Sequence, residues 1–462
     1  MLKAAALLAP ITLGIIVYLS TSNNDPTVPN LPDTYWGPSK VKKESTDIRP
    51  FTIDVPASVI EDLKHRLATR RSYVQPLENV GWTYGISTEF LNSVLDHWKD
   101  KYNWTERQAL LNKYPQFKTV IQGLDIHFYH VRPTNLPKNR NLKVLPLLLL
   151  HGWPGSIVEF QKIIPILTTP SPDRDFVFEV IAPSLPGYGF SEGAVRPGMS
   201  TAQMSVVFKN LMQRLKFEKF YVQGGDWGAL VAANMGVLFP EKVIGLHSNM
   251  CSAMGPKVLF WSIVGTYFPS LVGVDSEHYS MYFPVSAHLS NLIEESGYFH
   301  IQATKPDTIG AALASAPDGL AAYILEKFST WTNKAYRQRD DGGIKDRFNI
   351  NEILDNIMVY WVTNSITTSA RLYAENFSAA SRATKIDQLP VKVPTACAAF
   401  PNELLLTAKS ILSSRYPNII QYNLMERGGH FAAFEEPQLL ANDIFSFVEK
   451  TEKIRALPQK EL

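Results

Sequence analysis

Residues 224–228, with the sequence Gly-Gly-Asp-Trp-Gly, constrain the fold of this chain more than any other segment. A short run typical of a buried strand, residues 220–223, precedes them, and the small and apolar residues 229–235 follow. Glycines on both sides of Asp226 permit the close backbone approach that a sharp turn from a strand into a helix requires. The pattern therefore predicts that Asp226 stands on a tight turn between a strand and a helix.

Apolar runs elsewhere in the chain extend this pattern to a whole domain. Residues 144–150 and 176–182 are continuous apolar runs typical of buried parallel strands, and a further strand-like run covers 393–400. Strands that alternate with helical segments indicate a doubly wound parallel sheet. A nucleophile between flanking glycines, at the end of such a strand, is the nucleophile elbow of the α/β-hydrolase fold, and the sequence predicts this fold.

The nucleophile position of the elbow holds Asp226 rather than Ser or Cys. A carboxylate is a weak nucleophile towards amides, but it opens a strained ring or displaces a halide from saturated carbon and becomes an alkyl ester. Ordinary serine esterase chemistry is thereby excluded. Taken alone, the motif also fits an aspartate that only caps a helix N-terminus; the other motifs of the chain favour the nucleophile.

A loop with the sequence His-Gly-Trp-Pro begins at His151, where α/β-hydrolases carry their oxyanion-hole loop. The backbone N–H groups of Trp153 and Trp227 are the predicted donors, because they would stabilise the oxyanion that forms when an ester on Asp226 is hydrolysed. His151 itself is predicted to be structural.

A histidine and an acid complete the expected set. His430 lies on a late double-glycine loop just before a terminal helix, and it is placed to activate water. Glu403, directly after a strand, is predicted to orient the imidazole and to stabilise the imidazolium. Glu426 and Asp387 are its rivals. Nucleophile, acid and histidine then follow one another in the chain order of the α/β-hydrolases.

The stretch between Asp226 and Glu403 is too long for two strand–helix units, so a helical lid is predicted inside it. The predicted chain order is a membrane anchor, a linker, an N-terminal segment, the first part of the core, the lid and the second part of the core. Their bounds are 1–23, 24–48, 49–141, 142–250, 251–384 and 385–462, respectively.

Residues 4–20 form the first long apolar stretch, and no charged residue lies between Lys3 and Asp25. About 20 uncharged residues suffice to cross a ~30 Å hydrocarbon core, so a retained single-span membrane anchor is predicted. A cleaved signal peptide and a buried soluble helix are the alternatives, and the lack of a sharp small-residue cleavage site favours retention. The basic residues on either side of the stretch leave the orientation open.

The charge balance gives no sign of a nucleic-acid partner. Lys and Arg number 45 against 43 Asp and Glu, a formal net charge of +2, whereas nucleic-acid binders normally carry a basic excess. Cys251 and Cys397 are the only cysteines, which excludes a disulfide framework and a cysteine-ligated zinc site and predicts free buried thiols. No ligand cluster suggests a metal or an organic cofactor, so none is expected.

The motifs at 224–228 and 151–156, together with Arg-Gly-Gly-His-Phe-Ala-Ala-Phe-Glu-Glu-Pro at 427–437, resemble those of the microsomal epoxide hydrolase family. The resemblance continues through 48–51, 114–118, 123–127, 295–302 and 320–331. Within the family the chain is also similar to the insect juvenile hormone epoxide hydrolases. The resemblance implies an α/β-hydrolase core, a helical lid, an N-terminal segment that wraps the lid, and an endoplasmic reticulum (microsomal) membrane location. It also implies that two lid tyrosines, Tyr298 and Tyr373, are the proton donors.

These residues and the resemblance lead to one expected function. Asp226 attacks an epoxide carbon while the tyrosines protonate the oxygen, and His430 with Glu403 then activates the water that releases a vicinal diol. Small lipophilic epoxides, either juvenile hormones or xenobiotic epoxides, are the expected substrates, and a membrane is the other expected partner. A haloalkane dehalogenase of the same fold and a non-catalytic binding protein are the alternatives.

Overall fold

The computed structural model describes residues 27–38 and 44–457. The predicted membrane anchor at 1–23 lies outside the described residues, as does part of the predicted linker at 24–48. Within the described residues, no single helix is long and apolar enough to cross a membrane. One pair of helices, Pro306–Ser315 and Pro317–Thr330, is together long and apolar enough for a membrane span, by length and composition alone, and the two helices meet at a bend of 117°.

Nine strands of the described residues form one sheet. They are β1 (Arg49–Phe51), β2 (Gln116–Ile121), β3 (Leu124–Val131), β4 (Lys143–Leu150), β5 (Phe176–Pro183), β6 (Phe220–Gly224), β7 (Val243–Ser248), β8 (Thr395–Ala399) and β9 (Ile419–Leu424). Their order across the sheet is β1-β2-β3-β5-β4-β6-β7-β8-β9. The strands from β5 to β9 in this order are parallel, as predicted for the core.

The N-terminal strands add an antiparallel edge that the sequence analysis did not attach to the sheet. Gln122 and Gly123, with backbone φ angles of 53° and 82°, form the turn between β2 and β3. Strand β3 then pairs antiparallel with β5, with Phe128 opposite Pro183. Because antiparallel strands need only a tight turn between them, this segment joins the sheet without a crossover helix. The complete sheet is therefore mixed rather than purely parallel.

Helices cover the sheet and occupy most of the chain between β7 and β8, a segment that we call the lid. Those before the lid are α1 (Ala57–Ala68), α2 (Thr88–Asp100), α3 (Trp104–Leu111), α4 (Ile163–Thr168), α5 (Thr201–Arg214) and α6 (Asp226–Leu238). Those of the lid are α7 (Pro256–Tyr267), α8 (Tyr279–Tyr282), α9 (Val285–Glu295), α10 (Gly297–Thr304), α11 (Pro306–Ser315), α12 (Pro317–Thr330), α13 (Ile344–Arg347), α14 (Ile350–Thr363), α15 (Ile366–Asn376) and α16 (Ala379–Ala383). Those after the lid are α17 (Lys409–Leu412), α18 (Ala432–Glu435) and α19 (Pro437–Ala456).

The N-terminal segment is joined to the lid by buried polar contacts. Arg107 on α3 forms an ion pair with Asp355 on α14, with 2.9 Å between Nε and Oδ1. The hydroxyl of Tyr102 donates to the same carboxylate over 2.7 Å, and the hydroxyl of Tyr73 donates to Asp318 on α12 over 2.5 Å. The N-terminal segment thus supplies the edge of the sheet and also contacts two lid helices, so it links the lid to the core.

Two apolar clusters bury the two faces of the sheet. Leu148 and Leu150 of β4 belong to the cluster that includes the lid helices, whereas Leu147 and Leu149 belong to the cluster around α19. Successive side chains of a strand point to opposite faces, so both faces of β4 are covered. This burial explains why the strand is a continuous apolar run instead of an alternating one.

Cys251 and Cys397 form a disulfide, so the prediction of free thiols from the sequence is wrong. Cys251 follows β7 at the entrance to the lid, and Cys397 lies in β8, which pairs with β7 through Ser248. Their Cα atoms are 5.7 Å apart, within the range that a disulfide spans. The parallel pairing of β7 and β8 brings the two cysteines together, although the whole lid insertion separates them in the sequence. The number of cysteines in a chain does not reveal such a pairing.

Candidate active site

Asp226 lies at the turn between β6, which ends at Gly224, and α6, which begins at the aspartate itself. Its backbone φ is 49°, in the left-handed region that costs a residue other than glycine about 1–3 kcal/mol. A Cβ atom on Gly224 would lie 2.3 Å from the carbonyl oxygen of Gly228, so the turn closes only around glycine. The strained turn presents the carboxylate at the N-terminus of α6, where the helix dipole stabilises its charge.

The loop after β4 holds one oxygen of this carboxylate. The backbone N–H of Trp153 donates to Oδ1 of Asp226 over 2.8 Å, as expected of an oxyanion donor. A Cβ atom on Gly152 would lie 2.2 Å from the same oxygen, so only glycine lets the loop approach this closely. The other predicted donor, the backbone N–H of Trp227, belongs to the first turn of α6, directly after the nucleophile.

Helix α14 of the lid fixes the oxyanion loop. The Asn356 side chain donates to the carbonyl of Pro154, and the Tyr360 hydroxyl donates to the carbonyl of Gly155, each over 2.7 Å. The Ser156 hydroxyl donates in turn to Oδ1 of Asn356 over 2.7 Å. Neither Asn356 nor Tyr360 belongs to a sequence motif, and only the fold brings them to the loop.

His151 is buried behind the loop and has the structural surroundings that the sequence analysis expected. The backbone N–H of Leu185 donates to its Nε2 over 3.1 Å, so Nδ1 carries the proton and donates to the carbonyl of Gly152 over 2.9 Å. Burial lowers the pKa of His151 to about 4. A neutral imidazole with both nitrogens occupied supports the backbone of the loop.

His430 lies between the two carboxylates of the predicted set. Its Nδ1 is 2.6 Å from Oε1 of Glu403, and its Nε2 is 3.4 Å from Oδ2 of Asp226. The side chains of His430 and Glu403 are only 2% and 0% exposed. An isolated parallel bridge between Asn402 and Gly429 aligns the two loops that carry them. The structure therefore brings Asp226, His430 and Glu403 together in one line.

The two rival acids lie in other surroundings. Glu426 is exposed and forms an ion pair with Arg427. Asp387 lies in the short helix Ile386–Gln388, where burial raises its pKa and the nearby Arg415 opposes that change. Of the three candidate acids, Glu403 is the one that contacts the imidazole of His430.

The charges around His430 decide its protonation. Burial by itself lowers the pKa of this histidine, but the charges of Glu403 and Asp226 and their hydrogen bonds outweigh burial and raise the pKa well above its ordinary value. The resting site therefore contains an imidazolium between two carboxylates. Loss of the charge on Asp226 lowers the pKa of His430, because one of the two groups that stabilise the imidazolium is then neutral.

Tyr298 on α10 and Tyr373 on α15 reach the nucleophile from the lid. The ring of Tyr298 stacks on that of Trp153 with 5.2 Å between centroids, and the ring of Tyr373 stands perpendicular to that of Trp227 at 4.7 Å. Burial raises the pKa of both phenols well above the ordinary value, and the charge of Asp226 adds to the effect. Both residues implied by the resemblance are thus at the site as protonated phenols.

A buried lysine lies beside one of these tyrosines. Lys327 on α12 places its Nζ 4.6 Å from the centroid of the Tyr298 ring and 5.8 Å from that of Trp331. Its side chain is 4% exposed and forms an ion pair with Glu326 over 2.5 Å. A cation at this distance favours negative charge on the phenol, whereas the charge of its partner Glu326 raises the pKa of Tyr298. Nothing in the sequence points to a role for Lys327, because a lysine in a helical run is normally solvated.

Within residues 27–38 and 44–457, no group of three or more His, Cys, Asp or Glu side chains is arranged to hold a metal ion.

A carboxylate on the elbow forms an alkyl ester when it attacks saturated carbon, so the fold and the site together define an α/β-hydrolase that acts at saturated carbon rather than at an acyl carbon. Comparison with known families narrows this class. The family described as "Epoxide hydrolase N terminus" matches residues 48–160, and the family described as "alpha/beta hydrolase fold" matches residues 146–387.

Individual relatives agree with these matches. Juvenile hormone epoxide hydrolase 1 of Ctenocephalides felis is 52% identical over 95% of this chain and 93% of its own length. Epoxide hydrolase 1 of Oryctolagus cuniculus is 44% identical over 97% of this chain and 99% of its own length. The crystal structure of juvenile hormone epoxide hydrolase from the silkworm Bombyx mori superposes with a TM-score of 0.89 at 48% identity, covering 92% of this chain and 99% of that one. The chain belongs to the microsomal epoxide hydrolase family.

Proposed function

We propose that this protein hydrolyses lipophilic epoxides to vicinal diols through an ester on Asp226. One observation carries the proposal: the carboxylate of Asp226 lies between the Trp153 N–H and His430, with two phenols of the lid close by. The phenols favour an epoxide over a haloalkane, because an opened epoxide leaves an alkoxide that needs a proton, whereas a halide leaves without one.

The first step forms the ester. Oδ2 of Asp226 attacks one epoxide carbon, and the bond between that carbon and the ring oxygen breaks. Tyr298 or Tyr373 donates its proton to the ring oxygen, so the product is a hydroxyalkyl ester and a phenolate. Oδ1 stays on the Trp153 N–H throughout and becomes the ester carbonyl oxygen.

The second step returns the aspartate. Since esterification removes the charge of Asp226, the pKa of His430 falls and the proton on its Nε2 passes to the phenolate, which restores the phenol. The neutral Nε2 can then accept a proton from water. The water oxygen attacks Cγ, and the N–H groups of Trp153 and Trp227 stabilise the negative charge that develops on Oδ1. The bond between Cγ and Oδ2 then breaks, and the diol leaves with Oδ2 and the proton of His430. The proton left on the new carboxyl group passes to His430, which restores the carboxylate and the imidazolium.

We propose that juvenile hormones are among the substrates, with xenobiotic epoxides as the other candidate class. The support is the similarity to proteins that are named juvenile hormone epoxide hydrolases in Ctenocephalides felis and Bombyx mori. The surroundings of the lid tyrosines also suit an apolar chain: Phe299 and Phe377 pack at 5.0 Å from each other, next to Tyr373.

We further propose that the protein works at the endoplasmic reticulum membrane, held by a single-pass anchor in residues 1–23. The uncharged stretch at 4–20 supports an anchor. The lid supports contact with lipid, because α7 is apolar and yet exposes Leu259 and Trp261 at 52% and 42%. Val28 lines the same surface depression as Met254, just before α7, so the first described residues of the chain lie beside this helix.

Assays of the full-length protein in membranes test the proposed reaction and the proposed substrate classes. Incubated with a juvenile hormone and with a simple aryl epoxide, it should release diols, and the ratio of the two turnover rates ranks the substrate classes. His430→Gln should still form the ester and then stop, so that intact mass shows an adduct that peptide mapping places on Asp226. Asp226→Asn is the matched control and should give no adduct. Absence of both diol and adduct with every epoxide contradicts the proposed function.

A further inference from the structure

A small cavity lies beside Asp226, with a free volume of about 20 Å³, which is room for one water molecule. Asp226, Glu159 and His430 line it, and none of its lining residues belongs to a lid helix. Tyr298 and Tyr373 do not line this cavity. A water molecule inside it therefore contacts the nucleophile without occupying the space in front of the lid phenols.

Glu159 reaches the cavity from the short helix Ile157–Phe160, which directly follows the oxyanion loop. Its carboxyl group lies against Gly155, where an added Cβ atom would be only 1.4 Å from Oε1 of the glutamate. The absence of a side chain at Gly155 thus makes the room for this carboxyl group. Since Glu159 lines the cavity, the accessible part of its side chain faces the space that the water occupies.

Glu159 is a neutral acid at physiological pH. Its pKa is raised to about 8: burial is the main cause and the charge of Asp226 adds to it, whereas His430 and a hydrogen bond from the backbone of Ser156 act in the opposite direction. A neutral carboxyl group adds no charge beside the Asp226 carboxylate, and it both donates and accepts hydrogen bonds. It therefore suits a water molecule that must give up one proton to a histidine.

A second buried acid near His430 shows the contrast. Burial also raises the pKa of Glu435 to about 8, but its two oxygens accept the backbone N–H groups of Gly429 and Phe431 over 3.0 and 2.9 Å. Those bonds fix the loop on both sides of His430, so Glu435 supports the histidine. Glu159 instead belongs to the wall of the cavity.

We propose that Glu159 is a positioning residue that holds the hydrolytic water between His430 and Asp226. The water donates one O–H to Nε2 of His430 and the other to the carbonyl oxygen of Glu159, and a lone pair then points at Cγ of Asp226. His430 takes the proton and Glu159 neither gains nor loses one, so the proton balance of ester hydrolysis is unchanged. The inference rests on the proposed function, since it concerns the second step of that reaction.

Rapid-mixing kinetics on the full-length protein test the assignment, because ester formation and ester hydrolysis are measured separately. Glu159→Met keeps the shape and removes the acceptor, so we expect ester formation within about threefold of the parent and hydrolysis slowed roughly 10- to 100-fold, as for a misplaced reactant. Glu159→Gln keeps a neutral carbonyl and should restore hydrolysis to within about threefold. Glu179→Met is the matched control, because Glu179 pairs with His130 and Arg132 away from the site.

The possible results separate the inference from the proposed function. If the Glu159→Met ester is hydrolysed at the parent rate, or if both steps slow equally, the positioning role is wrong. If the parent protein forms no ester with any epoxide, the proposed function itself fails. A crystal structure of the parent protein gives a check that does not depend on the variants folding. A water within hydrogen-bond distance of both Glu159 and Nε2 of His430 is expected, and an empty or apolar-filled cavity overturns the inference.

Discussion

The backbone N–H of Trp153 donates to Oδ1 of Asp226 over 2.8 Å, and this bond makes the two oxygens of the nucleophile inequivalent. Oδ1 is held by a donor that suits an oxyanion, whereas Oδ2 lies 3.4 Å from Nε2 of His430 and is the oxygen available for attack. The ester then forms through Oδ2, and the same oxygen leaves with the diol. The contacts of the resting site therefore determine, before the substrate binds, which oxygen of Asp226 forms the ester bond and which becomes the ester carbonyl.

A single turnover in ¹⁸O-labelled water should show which oxygen atoms reach the diol and which remain on Asp226. With the enzyme in excess over a juvenile hormone, the diol of the first turnover should contain no label, and Asp226 should gain one labelled oxygen, detectable by peptide mass. Under multiple turnovers the label should enter the diol, because the labelled carboxylate becomes the nucleophile. A labelled diol in the first turnover would instead indicate direct attack by water on the epoxide.

Replacing the lid phenols should slow the first step alone. Tyr298→Phe and Tyr373→Phe each leave one proton donor, so we expect ester formation to fall roughly 10-fold in each, and about 100-fold or more in the double variant, within the range for a lost general acid. Tyr323→Phe is the matched control: its ring also contacts Trp153, at 5.7 Å, but the proposal gives its hydroxyl no role. Stopped-flow measurement of ester formation should leave this control near the parent rate.

Lys327 should increase the acidity of Tyr298 as the proton is transferred. Removing a desolvated cation 4.6 Å from the ring forfeits about 1–2 kcal/mol, so Lys327→Met should slow ester formation about tenfold and leave ester hydrolysis unchanged. Lys327→Arg keeps the charge and should recover most of the rate. Lys345→Met, at an exposed lysine 5.9 Å from the Phe90 ring, is the control. An equal effect on both steps would assign Lys327 to folding instead.

Local pattern and chain order were sufficient to find part of the site. The elbow places Asp226 and Trp227 in consecutive positions, and the loop after β4 places Trp153, because each position depends on glycines within a few residues. Glu403 was separated from its rivals only by its position after a strand and before the histidine loop. The structure brings Glu403 to 2.6 Å from His430.

The remaining site residues depend on tertiary contacts that no short pattern encodes. The contacts of three such residues, Asn356, Tyr360 and Lys327, are with residues distant in the sequence. The sequence of a helical segment does not show which of its polar residues are buried. The disulfide has the same origin, since β7 and β8 pair directly although the lid separates them in sequence. The sheet edge was missed for another reason: the local sequence of a hairpin such as β2 and β3 does not determine which strand of a sheet the hairpin will join.

The disulfide should stabilise the protein without contributing to catalysis. Cys251 and Cys397 close a loop of 146 residues that contains the lid, and a link of this kind typically contributes about 2–4 kcal/mol. Cys251→Ala together with Cys397→Ala should lower the free energy of unfolding by that amount in urea titrations, while the rates of both half-reactions stay near the parent values. Mild reduction of the parent protein, followed by mass, should give the same stability loss; an unchanged midpoint would show that the bond does not persist in solution.

The ion pair between Arg107 and Asp355 should be essential for attaching the N-terminal segment to the lid. Asp355 is 5% exposed, so Arg107→Met leaves a buried carboxylate without its cation and should cost about 3–5 kcal/mol of unfolding free energy. Burial already raises the pKa of Asp355, and Arg107 opposes that rise; in the variant the folded-state pKa is higher still. Between the unfolded and folded pKa values of Asp355 the folded state binds more protons, so the variant should lose stability as pH rises through the folded value.

The control is an exposed ion pair. Arg66→Met breaks the pair with Asp62 and should change stability by less than about 1 kcal/mol at any pH. Urea titrations of both variants at acidic and neutral pH measure the difference, and equal losses in the two would contradict the role of the buried pair.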